Sequence, residues 1–228
     1  MAGAFVLGAT GLCGLQMLKF AEKSHLYDRI TTISRRLPDA PNAKLNAILE
    51  SDLDKWPEII ASESKGCKTF YSGFGTTRGA AGSQENYYRL DYGVVYDAAK
   101  AAKAAGVETF VFVTAAFSNA NSRFSYIRTK GQLEDDIIAL KFPRTIILRP
   151  GMLLGKRDSS RSYLEHFLIN VLKYTHGNVL SNLTFPAYGE EIGQIAVNLA
   201  SEPLPQNSGE PIVKIVGAKE ITQLASRL

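Results

Sequence analysis

The chain has little of what marks several function classes. Among 228 residues there are only two cysteines, Cys13 and Cys67, far apart and in no CxxC spacing. A disulfide framework and a dithiol redox motif are therefore excluded, and a reducing compartment is the default. The three histidines, His25, His166 and His176, form no HxxxH pair and lie beside no cysteine, so no metal site is expected. No GxSxG elbow of a serine hydrolase occurs. Gly75-Thr76-Thr77-Arg78-Gly79 lacks the Lys-Ser/Thr ending of a P-loop. Basic residues outnumber acidic ones by only 26 to 22, and the longest basic run is Arg35-Arg36, which excludes the stripe of a nucleic-acid binder. Repeats, low-complexity tracts and linkers are also missing, so one domain over 1–228 is expected, with the residues after about 151 forming a substrate-side extension.

Charge is missing from one stretch altogether: nothing before Lys19 is ionised. Such a window suits a membrane span or a signal peptide, but Gly3, Gly8, Gly11 and Gly14 interrupt it and no basic segment precedes it. It reads instead as a buried strand, 4–7, a glycine turn, and a helix from 12 to about 24 carrying Leu12, Leu15, Leu18 and Ala21 on one side. With the fold starting so early, a cleavable presequence is not expected.

Strand and helix patterns then alternate. Strands are expected at 29–34, 44–49, 69–71, 108–113, 144–148 and 212–216, and helices at 56–62, 87–105, 124–140, 163–174 and 190–200. Short apolar strands separated by helices pair in parallel with both faces covered, so the expected fold is a Rossmann-like, doubly wound α/β sheet.

Gly8-Ala9-Thr10-Gly11-Leu12-Cys13-Gly14 occupies the first strand-to-helix turn. Gly8 permits the tight turn, Gly11 close approach of amides to a pyrophosphate, and Gly14 close packing of the helix. The helix N-terminus, with Thr10, Leu12 and Cys13, offers donors to phosphate. A strand-two exit in NAD sites carries Asp or Glu for the ribose hydroxyls; here it is Ser34-Arg35-Arg36, and arginine suits a 2′-phosphate. The expected cofactor is NADPH.

Tyr126-Ile-Arg-Thr-Lys130 is YxxxK, and on a helix its ends share a face. A nearby ammonium favours phenolate, and the phenol suits a general acid that protonates a carbonyl as hydride arrives. A second copy, Tyr96 to Lys100, lies inside an earlier helix, away from the strand exits where ligands bind, and reads as surface. Glu134-Asp135-Asp136 reads as a solvated helix face, Trp56 as packing. The amphipathic helix at 163–174 suits core packing first, and otherwise a cleft cover, a partner surface or a peripheral membrane contact.

Together these segments resemble the atypical short-chain dehydrogenase/reductase superfamily and, within it, the fungal mitochondrial branch of the Tat-interacting-protein oxidoreductase family. The resemblance is carried by Leu7 to Gly14, Ser34 to Arg36, Gly75 to Gly82, Tyr126 to Gly131 with Leu133-Glu134, and Leu148 to Gly155 with Arg157 soon after. It implies an NADPH-binding reductase of a small carbonyl compound, with Gly73, Gly75 and Thr76 along the cofactor ribose and Pro150-Gly151 bordering the nicotinamide. It also implies a mitochondrial location, peripheral at the outer membrane on the cytoplasmic side; a cytoplasmic protein is the alternative. One departure stands out. Where the family has a second serine after strand five, this chain has Ala115, in Val113-Thr114-Ala115-Ala116. Thr114, one residue earlier, would face the opposite side of an extended segment, and Ser118 substitutes only if the loop folds back. Thr114, Tyr126 and Lys130 are thus the catalytic candidates. The missing serine keeps a second reading open: an NADPH-binding regulatory or partner-binding protein with little turnover.

Overall fold

The computed structural model describes residues 2–40, 42–155, 185–204 and 210–228. The expected doubly wound α/β fold is present. Seven parallel strands run β1 (Ala2–Leu7), β2 (Tyr27–Ser34), β3 (Leu45–Leu49), β4 (Cys67–Ser72), β5 (Thr109–Val113), β6 (Arg144–Arg149) and β9 (Ile212–Gly217), in the order β3-β2-β1-β4-β5-β6-β9. The order reverses between β1 and β4. Chain connections leave these neighbours in opposite directions, which opens a crevice beyond their carboxyl ends. A separate two-residue pair, β7 (Leu153–Leu154) with β8 (Ala187–Tyr188), was not foreseen.

Strand periodicity divides the core. Val6, Tyr71, Val111, Ile146 and Val216 face a layer holding α1 (Leu12–Lys23) and α7 (Gly189–Ser201). Their sequence neighbours Phe5, Leu7, Phe70, Phe110 and Ile147 face α2 (Trp56–Glu63), α5 (Val94–Ala104) and α6 (Ser125–Ala139). On this second face Phe5 stacks on Phe70 and Phe70 on Phe110, at centroid distances of 4.9 and 5.2 Å. These rings bury large apolar area at the centre of the sheet.

The helix expected over 87–105 is broken. Short α3 (Arg78–Ala81) and α4 (Gln84–Tyr88) precede a π-helical turn, Arg89–Gly93, and only then does α5 begin. Tyr87 and Asp91 are both buried here, and the wider turn fits the polar side chain inward. A final helix, α8 (Ala218–Ala225), was missed; its apolar spacing is short and follows directly on β9. The helix expected at 163–174, Arg157, His166 and His176 lie outside the described residues. Among the described residues no helix is long and apolar enough to cross a membrane, and no group of side chains is arranged to hold a metal.

Helix α1 meets α7 through glycine. A Cβ on Gly189 would lie 2.5 Å from the Leu12 carbonyl oxygen, and one on Gly193 2.6 Å from the Gln16 carbonyl carbon. Backbone meets backbone, so neither helix has a flexible tip to move aside. At the other end of the sheet, Tyr27 bonds Tyr71 (2.8 Å between hydroxyls) and Thr69 (3.1 Å), while Arg144 donates to the Ala200 and Glu202 carbonyls at the end of α7 (both 2.6 Å). Burial pushes the Tyr27 and Tyr71 phenols above the ordinary range, against the opposing charge of Arg144.

Gly193→Ala is expected to lower unfolding stability by about 1–3 kcal/mol through overpacking, whereas Gly79→Ala, with open space around it, should change it by less than about 1 kcal/mol; urea midpoints check both. The buried phenols give a pH prediction. Their folded pKa is raised, so the native state keeps protons that the unfolded chain loses near its ordinary value of 10.0. The thermal midpoint should hold below that pH and fall above it, and Tyr71→Phe should flatten the fall.

Candidate active site

Three glycines close the crevice where the strand order reverses. Gly8 leaves β1 at φ +81°, a left-handed conformation that other residues rarely adopt. A Cβ on Gly8 would lie 2.6 Å from the Phe74 amide nitrogen, one on Gly14 2.1 Å from the Gly8 oxygen, and one on Gly73 2.4 Å from the Gly14 nitrogen. The exits of β1 and β4 and the first turn of α1 are therefore in mutual backbone contact. Gly11 caps α1 without a side-chain bond, and the first turn carries no acid. Its amides and dipole are accordingly suited to an anion. Leu12 and Cys13 offer only backbone there: the Leu12 side chain lies against Gly155 and Gly189, and the Cys13 thiol is buried in the core.

Beside this cradle lies a hollow of about 360 Å³ lined by Gly8, Thr10, Arg35, Arg36, Trp56 and Phe74, among others. The Ser34 hydroxyl donates to the Arg36 carbonyl (2.5 Å), which shapes the turn out of β2, and both arginines are exposed. A glycine-rich loop, helix-end amides and two guanidinium groups at the far end form a donor set that fits a dinucleotide.

At the other end stand Tyr126 and Lys130, one turn apart on α6. Tyr126 is about half exposed, at 47%, whereas Lys130 is 5% exposed. Such a buried ammonium needs a counter-charge, and Asp91 supplies it: Lys130 Nζ lies 2.7 Å from Asp91 Oδ2. The Tyr87 hydroxyl donates to the same oxygen (2.9 Å), and the Thr76 amide donates to Oδ1 (3.0 Å). Gly75 passes directly above; its Cβ would be 3.0 Å from Asp91 Oδ1 and 3.8 Å from Lys130 Nζ. Tyr87 packs on Tyr126 with centroids 6.2 Å apart. Burial first, then the Asp91 carboxylate and Tyr126, push the Tyr87 phenol well above its ordinary range, so it stays a donor.

Gly75, Thr76 and Lys130 thus converge on Asp91, with Tyr126 joined through Tyr87, whereas Gly73 packs on Gly14. Pro150 and Gly151 leave β6 on the same side of the sheet, and the Pro150 carbonyl accepts from the Ala116 amide (2.8 Å). The two hydroxyls considered beside the tyrosine are engaged elsewhere. Thr114 donates to Glu134 Oε1 (2.5 Å) on α6. The chain does fold back at Phe117, which has φ +64°, but Ser118 donates to the Ala115 carbonyl (2.7 Å). Among the described residues, the Tyr126 hydroxyl has no hydrogen bond.

The solvated face expected at Glu134-Asp135-Asp136 needs correction. Glu134 is buried, and Arg149 at the end of β6 donates to both of its oxygens, with Nε at 3.0 and 3.1 Å. Asp136 accepts from Tyr92 (2.6 Å), and only Asp135 is exposed. Lys100 meets the expectation of a surface residue, pairing with Asp97 at 2.8 Å, but Tyr96 is half-buried against Tyr92. Asp91, Tyr87 and Arg149 were missed. One signal was available: Asp91 begins the series 91, 95, 98, 102, whose other members, Val95, Ala98 and Ala102, form a buried apolar stripe. An acid on such a stripe requires a partner.

No family model matches the chain. Relatives are nonetheless clear. "Protein FMP52-2, mitochondrial" of Scheffersomyces stipitis is 66% identical over 227 residues, covering 100% of this chain and 99% of that protein. "Protein FMP52, mitochondrial" is 47% identical in Debaryomyces hansenii (99% of each chain) and 42% in Candida albicans (98% of each). Among solved structures, MoeE5 in complex with UDP-glucose and NAD superposes with a TM-score of 0.67 at 16% identity, over 99% of this chain and 81% of that one. A short chain dehydrogenase family protein from Francisella tularensis gives 0.63 at 14%, over 96% and 98%. At these identities the structures speak for the fold, that of the short-chain dehydrogenases. Sequence identity over essentially the full length speaks for kinship: the chain belongs to the FMP52 family of fungal proteins named mitochondrial.

Proposed function

We propose that this protein binds NADPH and reduces a small carbonyl compound, with Tyr126 as the acid. The observation that carries the reading is the junction of two features: a glycine turn packed backbone on backbone at the start of α1, and a half-exposed phenol one helical turn from a buried lysine, both beyond the carboxyl ends of the central strands. MoeE5, whose solved structure has the same fold, is a complex with UDP-glucose and NAD.

The helix-end amides of α1 and the Gly8 turn take the pyrophosphate. Arg35 and Arg36 take a 2′-phosphate, which NADH lacks. Gly73, Gly75 and Thr76 line the nicotinamide ribose, Lys130 binds its hydroxyls, and Pro150-Gly151 border the ring. The bound cofactor supplies hydride. Tyr126 gives its phenolic proton to the carbonyl oxygen, and the ammonium of Lys130 favours the phenolate left behind. Kinship with the Tat-interacting-protein oxidoreductases and a peripheral position on the mitochondrial outer membrane belong to the same proposal; the relatives' names support its mitochondrial part alone.

A second reading has a specific observation in its favour. Ala115 brings no hydroxyl to the tyrosine, and those of Thr114 and Ser118 are donated elsewhere. An oxyanion with one donor fewer is stabilised less, typically by about 3 kcal/mol. A protein that binds NADPH as a regulatory or structural ligand while contacting a partner would need no such hydroxyl.

Fluorescence titration should show tighter binding of NADPH than of NADH, and replacing both Arg35 and Arg36 by alanine should weaken NADPH by about 10–100-fold while leaving NADH nearly unchanged; tighter NADH binding would overturn the cofactor assignment. With a panel of aldehydes and ketones, Tyr126→Phe should cut turnover by about 100-fold or more with unchanged NADPH affinity. Turnover that survives this change defeats the tyrosine mechanism, and tight NADPH binding without turnover on the whole panel favours the second reading.

A further inference from the structure

We infer that Asp91 is a positioning residue for the cofactor's ribose, acting through Lys130; this rests on the proposed NADPH site. Three donors from three separate segments end on its carboxylate: the Lys130 ammonium from α6 (2.7 Å), the Tyr87 hydroxyl from α4 (2.9 Å) and the Thr76 amide from the loop after β4 (3.0 Å). The carboxylate is fully buried. A buried ion pair is a poor device for stability, since well-packed apolar residues often do as well. Its distinctive property is direction: both oxygens are used, each by a group from one wall of the presumed ribose pocket.

Lysine has three ammonium donors and four rotatable bonds. Asp91 takes one donor and leaves two for the ribose hydroxyls. The other carboxylate oxygen holds the Thr76 amide, and with it the Gly75 backbone that passes over the ammonium. One carboxylate thereby fixes the distance between the lysine that would bind the ribose and the loop that would line it. The π-helical turn is how the helix meets this demand. Its extra residue per turn brings Asp91 inward while Tyr87, one turn earlier, also faces the carboxylate. Side-chain tethers of this kind commonly matter to ligand affinity because they remove alternative rotamers before binding.

The test is a double-mutant cycle on NADPH affinity, measured by fluorescence titration of the full chain, with nucleotide-free melting midpoints recorded beside it. Asp91→Asn keeps an oxygen for the Thr76 amide and removes the charge that holds the ammonium. It should weaken NADPH by about tenfold or more when Lys130 is present, and by less than about twofold in a Lys130→Met background. A residue that merely supports the fold would weaken binding by the same factor in both backgrounds, and that result, or unchanged affinity in Asp91→Asn, overturns the inference while leaving the proposed function intact. A wild type that binds neither NADPH nor NADH overturns both. Should Asp91→Asn not fold, Asp91→Glu carries the same cycle: it keeps the charge and displaces the carboxylate by one methylene, and its loss of affinity should likewise vanish in Lys130→Met.

Discussion

Everything in this molecule that concerns a ligand depends on the contact among Gly8, Gly14 and Gly73. Each lies where a Cβ would enter the backbone of another of the three or of its immediate neighbour. The contact draws the exits of β1 and β4 together with the first turn of α1, and so defines both the depth of the crevice and the direction of the helix dipole. Among the described residues, the charged side chains stand at its ends: arginines at one, a lysine with its neighbouring tyrosine at the other. The backbone of the middle section therefore suits the parts of a ligand common to all dinucleotides, and the ends suit the parts that differ.

A second theme is the amount of charge that α6 takes inside. Lys130 and Glu134, one turn apart, are both buried, and each has its partner on a different element, Asp91 in the π-helical turn and Arg149 at the end of β6. Thr114, just past the end of β5, adds another bond. Breaking a buried pair by removing one member typically costs about 3–5 kcal/mol, toward the low end where, as with Arg149, one member keeps contact with solvent. The helix is thus fixed by polar contacts at Lys130 and Glu134 and by the apolar packing of Leu133 and Ile137 between and beyond them. Rigid attachment near Tyr126 is the arrangement expected where a side chain must meet a ligand to within a fraction of an ångström.

Much of this was legible before any coordinates. The strands, the glycine turn and the YxxxK helix follow from periodicity and local backbone chemistry, which act over a few residues. What escaped notice involves partners distant in sequence. Glu134 looks like one member of an acidic run because its partner, Arg149, is a strand away. The helix expected over 87–105 breaks because Asp91 must turn inward to a lysine on another helix, a demand that alanine-rich helical propensity does not reveal. Thr114 was expected to face the opposite side of its segment and Ser118 to serve only if the loop folds back; the surrounding acceptors, Glu134 and the Ala115 carbonyl, show where each hydroxyl is directed.

The glycine contact between α1 and α7 has a consequence for biosynthesis. Helix α1 belongs to the cradle, but its surface around Leu12, Gln16 and Met17 is covered by residues 189–201, which follow much later in the sequence. A ribosome must therefore deliver all of the intervening chain before that surface closes, and contacts so distant in sequence form slowly. Until then the nascent chain presents an apolar helix face of the kind chaperones recognise. The part of the protein best suited to hold a nucleotide is thus begun long before it is completed.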